Sequence, residues 1–413
     1  GKAARPPRNG RPSPSREAPQ VKAAEAPARR IYLDNNATTR VDDAVREAML
    51  PYLGEGCGNP SSLHGAGRRA REAVGGARRQ VAALLGTNPR RIVFTGSGSE
   101  SNNLAVKGAA FARRERGNHI VTTRIEHPSV LGACRFLERT GFEVTYLDVD
   151  REGWLDPARL RGAVREGTIL VSVMMANNEV GTILPIRGLC DAARAGGALF
   201  HTDAVQAVGK IPVDAEALGV DLLSLAAHKF HGPKGAGALY VRKGVEIEPL
   251  IHGGQQEGGV RAGTENVPQL VGMGKAAELA LGRLAGAAEV RRLRDRLEAG
   301  VRRLVPGARL NGHPESRLPN TLNMTLPGLR GESLVIALDQ HGVALSSGSA
   351  CKSGSPEPTH VLLAMGRSEE EAHCAVRLSL SRATSEADVD EALAALARVL
   401  EEMETAVRFL PCK

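Results

Sequence analysis

Between Arg30 and Val241 one pattern recurs: a short apolar run, a polar or glycine-rich turn, then a stretch of helical periodicity. The apolar runs are Arg91–Phe94, His119–Thr122, Val144–Leu147, Ile169–Val173, Ala198–Phe200, Leu222–Leu225 and Gly237–Val241. Helical patterns at 65–85, 128–140 and 186–195 lie among them. Strands that alternate with helices are covered on both faces, so the chain is expected to be α/β. Beyond about residue 280 the pattern changes. A charged amphipathic stretch from Ala287 to Leu304 leads to mixed elements and a last helix from Ser385 to Val407, which Ser385 can cap with Asp388 three residues on. That part reads as a second, smaller α+β unit.

Composition narrows the function classes. The 413 residues exceed one ordinary domain. Aromatic residues make up only 3%, so the core must be built from Ala, Val, Leu and Ile. Six cysteines without a C-x-x-C pair provide neither a disulfide scaffold nor zinc spacing, so no metal site is expected. They favour a reducing compartment, here the cytoplasm. No apolar run reaches the roughly 18–20 residues that span a bilayer, and no membrane partner is expected. The net charge of +8 is misleading until it is located. Residues 1–30 hold eight Lys/Arg against two acids, six of the eight net charges. This Pro/Ala/Arg-rich stretch, 1–29, is expected to be a disordered, solvated tail. A partner-binding arm, or a targeting remnant that would place the protein in an organelle matrix, are the other readings of it. With the body near neutral, nucleic acid is not the expected partner.

Ligands of open α/β sheets bind beyond the carboxyl ends of the strands. Three such places stand out. Thr95-Gly96-Ser97-Gly98-Ser99 opens a helix, where glycines admit close approach and free N–H groups suit a phosphate; a plain capped turn is the simpler reading. Asp203 ends the run Phe200-His201-Thr202, where it could also be only a helix cap. Lys229 follows Leu225-Ala226-Ala227-His228, and a lysine there either snorkels to the surface or is adapted to covalent chemistry with a carbonyl. Together the three supply what pyridoxal 5′-phosphate needs: an amine, an acid for the pyridine nitrogen and a phosphate cradle.

With these residues in place, the chain resembles the class V aminotransferase-like pyridoxal-phosphate enzymes, specifically the NifS/IscS group of cysteine desulfurases. The shared stretches run in order from Tyr32–Thr39 and Gly58–Ser62 through Phe94–Asn103, Glu126-His127, Asn177–Gly181 and His201–Gln206. They continue with His228-Lys229, Gly232–Gly235, Arg261–Asn266, Ser346–Cys351 and Arg377–Ser379. The resemblance implies a large domain, 39–284, with a mostly parallel seven-stranded sheet. It implies a small domain made of 30–38 and 285–413, carrying a mobile cysteine loop at about 345–356. Lys229 would hold the cofactor and move a substrate proton, and Asp203 would face the ring nitrogen. His127 would stack on the ring and take part in catalysis. Asn178 and Gln206 would bond the phenolic oxygen, and Gly98, Ser99 and His228 the phosphate. Thr264 would reach the phosphate of a neighbouring subunit in a homodimer. Asn36 and Arg377 would bind the substrate, Arg377 as a carboxylate fork. One departure is Ala226, where the group often has a serine; a phosphate donor worth about 1 kcal/mol is missing.

Cys351 decides the reaction class. It lies in a run of small polar residues, Ser346 to Ser355, suited to an exposed mobile loop, with Lys352 favouring its thiolate. The other five cysteines suit inert positions. The implied reaction converts L-cysteine to L-alanine and leaves a persulfide on Cys351. Its sulfur would go to an iron–sulfur scaffold or to another acceptor that thiolates tRNA or cofactors. A selenocysteine lyase and a class V aminotransferase are the rival enzymes, and a binding module without activity is the rival of a different kind.

Overall fold

The structure, a computed structural model, describes residue 1, residues 30–347 and residues 358–408. Twelve strands are present among the described residues: β1 Ile31–Tyr32, β2 Ile92–Thr95, β3 His119–Thr123, β4 Glu143–Leu147, β5 Thr168–Ser172 and β6 Leu199–Asp203. They continue with β7 Leu222–Ala226, β8 Gly237–Val241, β9 Arg309–Asn311, β10 Thr321–Thr325, β11 Val343–Ala344 and β12 Ala375–Ser379. Seven form one sheet in the order β2-β8-β7-β6-β5-β3-β4. Only β8 runs against its neighbours, β2 and β7; the other pairings are parallel. The expected mostly parallel seven-stranded α/β sheet is therefore present.

Burial follows the sequence. The central strands β5, β6 and β7 are buried at every residue, as strands covered on both faces must be. The edge strand β4 buries only Leu147. One face carries the Gly98–Ala112 and Pro128–Glu138 helices; elsewhere the Gly65–Leu84 and Val267–Arg283 helices pack on each other. Their closeness needs a glycine: a Cβ at Gly274 would stand 2.5 Å from Ala77 Cα. β6 runs on to Asp203, three residues past the apolar run. It can do so because His201 is satisfied inside the sheet, with Nδ1 2.8 Å from Ser172 Oγ and Nε2 2.9 Å from Ser224 Oγ.

A second core gathers Ile31 and Leu33 with Leu293, Leu297, Leu322, Val376, Val389 and Leu396. Its sheet is antiparallel, in the order β12-β10-β9, and β1 pairs in parallel with β11. The amphipathic Ala287–Leu304 helix and the Glu386–Arg408 helix pack on each other beside it. Residues 31–33 thus return to join the C-terminal core, which brings residues 34–39 to the boundary between the two cores. No helix among the described residues is long and apolar enough to cross a membrane.

Candidate active site

The parallel strands β2, β6 and β7 end on the same edge of the sheet, and the chain beyond each end supplies one side of a cavity of about 320 Å³. Its wall includes Asn36, Gly98, Ser99, His127, Asn178, Asp203, Gln206, His228, Lys229 and Arg377. The structure thus brings together ten of the residues singled out in the sequence. Grooves of about 710 and 470 Å³ lie elsewhere, open and lined by surface arginines, and the clustered chemistry argues for the smaller cavity. Thr264 is exposed and is not on this wall. Cys351 lies outside the described residues, as does the whole segment 348–357.

After β2, Ser97 caps the Gly98–Ala112 helix, its Oγ accepting from the Glu100 N–H at 3.1 Å. The helix N-terminus, with its N–H donors and positive dipole end, forms one side of the cavity. Gly98 is required for this approach. A Cβ there would meet Val205 Cγ2 at 2.8 Å and Ala226 Cβ at 3.2 Å.

Asp203 is 5% exposed, and its two oxygens are held apart in role. Oδ1 accepts from the Val205 N–H at 2.9 Å and Oδ2 from Asn102 Nδ2 at 2.7 Å. Asn102 also donates to Ser129 Oγ at 2.9 Å, and Ser129 Oγ is 2.7 Å from His127 Nδ1. One chain of contacts therefore ties the acid to the imidazole. Burial holds the His127 pKa below its usual value, with Lys229 and His360 acting in the same direction and Asp203 against them.

Beyond β7 a single turn, Ala227–Lys229, presents Lys229. Its Nζ donates to the carbonyls of Asn36 (2.5 Å) and Ala37 (2.8 Å), so the N-terminal segment forms the far wall. Burial, with Lys229, Lys234 and Lys210 nearby, pushes the His228 pKa down to about 4. A neutral imidazole results, able to donate through one nitrogen. Arg377, on β12, donates to Asp34 Oδ1 at 2.8 Å and to the Asn178 carbonyl at 3.1 Å, and its Nε is buried without a partner among the described residues. Two of its five N–H donors are engaged, so the fork keeps donors for a carboxylate.

The residues fit pyridoxal 5′-phosphate. Two amide oxygens on the wall, Asn102 Oδ1 and Asn178 Oδ1, are buried without a partner among the described residues. Unpaired polar groups around a closed hollow are what a site shaped for a polar ligand leaves. The same wall holds the groups the ligand requires: a helix N-terminus and His228, the carboxylate of Asp203 and the amine of Lys229. No group of three or more metal-binding side chains is present among the described residues.

Three polar residues of this neighbourhood were given no role from sequence: Asn102, Glu126 and Lys210. Asn102 had a readable signal, because it stands four residues after Gly98 on the same helical face. Three of the other five cysteines sit as an inert position requires, and Cys412 lies outside the described residues. Cys134, Cys190 and Cys374 are buried, and burial pushes the thiols of Cys134 and Cys190 up to about 12 and about 11. Cys57 is exposed.

Comparison with known proteins agrees with this geometry. The profile of the class-V aminotransferases matches residues 31–392. A cysteine desulfurase IscS of Methanosarcina thermophila is 50% identical over 374 residues, covering 90% of this chain and 92% of that one. That of Dictyoglomus turgidum is 50% identical over 380 residues, 91% and 96% of the two chains. A solved NifS-like protein superposes with a TM-score of 0.85 at 43% identity, over 91% of this chain and all of the other. The chain belongs to the class-V aminotransferase family, whose enzymes depend on pyridoxal 5′-phosphate.

Proposed function

We propose the following reading of the site. The protein is a cysteine desulfurase that takes sulfur from L-cysteine and releases L-alanine. The observation that carries it is the convergence of Lys229, Asp203, the Gly98 helix N-terminus and Arg377 on one cavity. The names of relatives at 50% identity select the reaction within the family.

Lys229 binds the cofactor covalently through its amine and shuttles the proton at the substrate Cα. Asp203 keeps a proton on the ring nitrogen, and its two fixed hydrogen bonds hold it to that position. The first N–H groups of the Gly98–Ala112 helix, Ser99 and His228 receive the phosphate. His127 would hold the ring, while Gln206 and Asn178 would hold its phenolic oxygen. When bound, pyridoxal 5′-phosphate supplies an electron sink that makes the substrate Cα–H acidic. Arg377 would take the substrate carboxylate; Asn36, named from the sequence for the same task, has both side-chain N–H groups engaged by Thr321 Oγ1 and the Asn178 carbonyl and instead shapes the wall. The Cys351 thiolate attacks the substrate sulfur. One S–S bond forms on Cys351, the C–S bond breaks, and the carbon left behind takes up a proton to become alanine.

The two cores support a division into a cofactor domain, 39–284, and a small domain of 30–38 and 285–413 that carries Cys351. The working assembly is a homodimer in which Thr264 serves the neighbouring site. The persulfide is handed to an iron–sulfur scaffold or another sulfur acceptor, in a cytoplasm or organelle matrix reducing enough to keep Cys351 a thiol.

The test is exposure of the purified protein to L-cysteine, with alanine release followed and the intact chain weighed. Wild type gains one sulfur on the Cys351 peptide and releases alanine. Cys351→Ser still binds cysteine and changes the visible spectrum, but gains no sulfur, because a serine hydroxyl is un-ionised near pH 7. An aminotransferase would be indifferent to the substitution. Sulfur appearing on any other cysteine overturns the assignment.

A further inference from the structure

A second lysine stands directly behind the first. Lys210 is not on the wall of the cofactor cavity; it borders a separate hollow of about 70 Å³ that Lys229 also reaches. Its Nζ donates to Gln206 Oε1 at 2.6 Å and to Asn36 Oδ1 at 3.0 Å. Both acceptors are buried, Gln206 at 4% and Asn36 at 1% exposure. Gln206 then donates from Nε2 to the Asn36 carbonyl at 3.0 Å, the same oxygen that receives Lys229 Nζ. Asn36 is fixed at every other point. Its Oδ1 also accepts from Asn320 Nδ2 at 3.0 Å, and its Nδ2 donates to Thr321 Oγ1 at 2.9 Å and the Asn178 carbonyl at 3.1 Å.

We infer that Lys210 is a positioning residue that locks the Gln206 amide in one orientation, with its N–H edge held toward Asn36 and the cofactor side. The argument is one of matching donors. A flipped Gln206 amide would set its oxygen against the Asn36 carbonyl and its NH₂ against the Lys210 amine, an acceptor pair and a donor pair at once. Lys210 donates to two acceptors among the described residues, Gln206 Oε1 and Asn36 Oδ1. Its surroundings agree. Lys229 and Arg377 are the cations facing it, His228 and His231 are close enough to feel its charge, and Arg283 and Arg382 share the small hollow. No carboxylate pairs with it among the described residues. Burial and the two facing cations draw its pKa well below the usual lysine value. Lys210 thus acts on the cofactor only through Gln206 and Asn36. This rests on the reading that Gln206 meets the cofactor.

The experiment titrates cofactor-free protein with pyridoxal 5′-phosphate, for Lys210→Met, Gln206→Leu and the double variant, recording the Kd and the visible absorption band. Lys210→Met is expected to bind about tenfold more weakly, with a displaced band, because a buried amide loses the partner that orients it. Gln206→Leu should show a similar loss, and adding Lys210→Met to it should change the Kd by less than about twofold. Wild-type binding by Lys210→Met beside weak binding by Gln206→Leu overturns the role of Lys210 and leaves that of Gln206. Wild-type binding by Gln206→Leu removes the Gln206 reading and this inference with it. Full additivity in the double variant shows that Lys210 acts elsewhere and overturns the inference. If Lys210→Met does not fold but the double variant does, the unpaired Gln206 oxygen is the cause and the pairing is upheld. If neither folds, Lys210 serves the fold alone and the inference fails.

Discussion

Glu126 shows how much a single buried residue can matter beside the site. Its Oε1 accepts from Thr123 Oγ1 at 2.7 Å and the Met174 N–H at 2.9 Å, while Oε2 is buried without a partner. Burial pushes its pKa up to about 8, opposed by those two hydrogen bonds and reinforced by the charge of Asp203. Between the ordinary glutamate range and about pH 8 the folded chain therefore keeps a proton that the unfolded chain has lost. Stability must fall as pH rises through that window, and the loss is complete above it. Glu126→Gln keeps the oxygen acceptor and removes the titration. At pH 9 it should unfold at higher urea than wild type, by an amount on the order of a few kcal/mol, with no such advantage at pH 5. Parallel midpoints across that range would show that Glu126 ionises without cost. Residues of this kind also mark where sequence reading stopped. Lys229, Asp203 and the Gly98 turn were legible because each follows a strand and brings the residue type the chemistry demands. Lys210 was not, because a lysine after Gly209 reads as a surface residue. Its partner Asn36 lies 174 residues away, and only the fold brings them together.

The helices were legible nearly to the residue, with or without a side-chain cap. Ala287–Leu304 and Ile186–Ala195 run as the periodicity predicts. The last helix starts at Glu386 because Ser385 and Asp388 satisfy each other's backbone N–H groups, at 3.2 Å and 2.8 Å. It carries Val389, Ala392, Leu396 and Val399 into the second core. Strand ends were less legible. β6 continues through His201, whose ring partners Ser172 and Ser224 belong to neighbouring strands, and no local pattern reports that. The cap offers a clean test of the element alone. Ser385→Ala should cost about 1 kcal/mol, seen as a lower urea midpoint, while cofactor affinity stays at the wild-type value because the helix start is remote from the cavity. A change in cofactor Kd without a change in midpoint would show that the second core is coupled to the site by more than packing.

At the scale of the whole molecule, the chain supplies ten of the expected site residues to its own cavity and leaves Thr264 outside it. Thr264 is exposed, in a stretch where Glu257 adopts a left-handed φ of 49° and pairs with Arg78 at 2.6 Å. Just beyond it, Glu265 Oε2 and Gln269 Oε1 are buried without partners among the described residues. Thr264 takes no part in the cavity of its own chain. If Thr264 serves the neighbouring site, Lys229 and Thr264 of one working site come from different chains. Thr264→Ala alone should then weaken cofactor binding by about tenfold or more, the worth of one hydrogen bond to a charged group. Lys229→Ala alone should hold no cofactor covalently. Mixing the two variants and allowing chains to exchange creates heterodimers with one site that has lost both residues and one that has both. Cofactor retained per intact Lys229, read from the visible band after dialysis, should therefore rise above that of Thr264→Ala alone. With exchange verified by native mass spectrometry, retention that stays at the Thr264→Ala level would show that Thr264 does not act across the dimer.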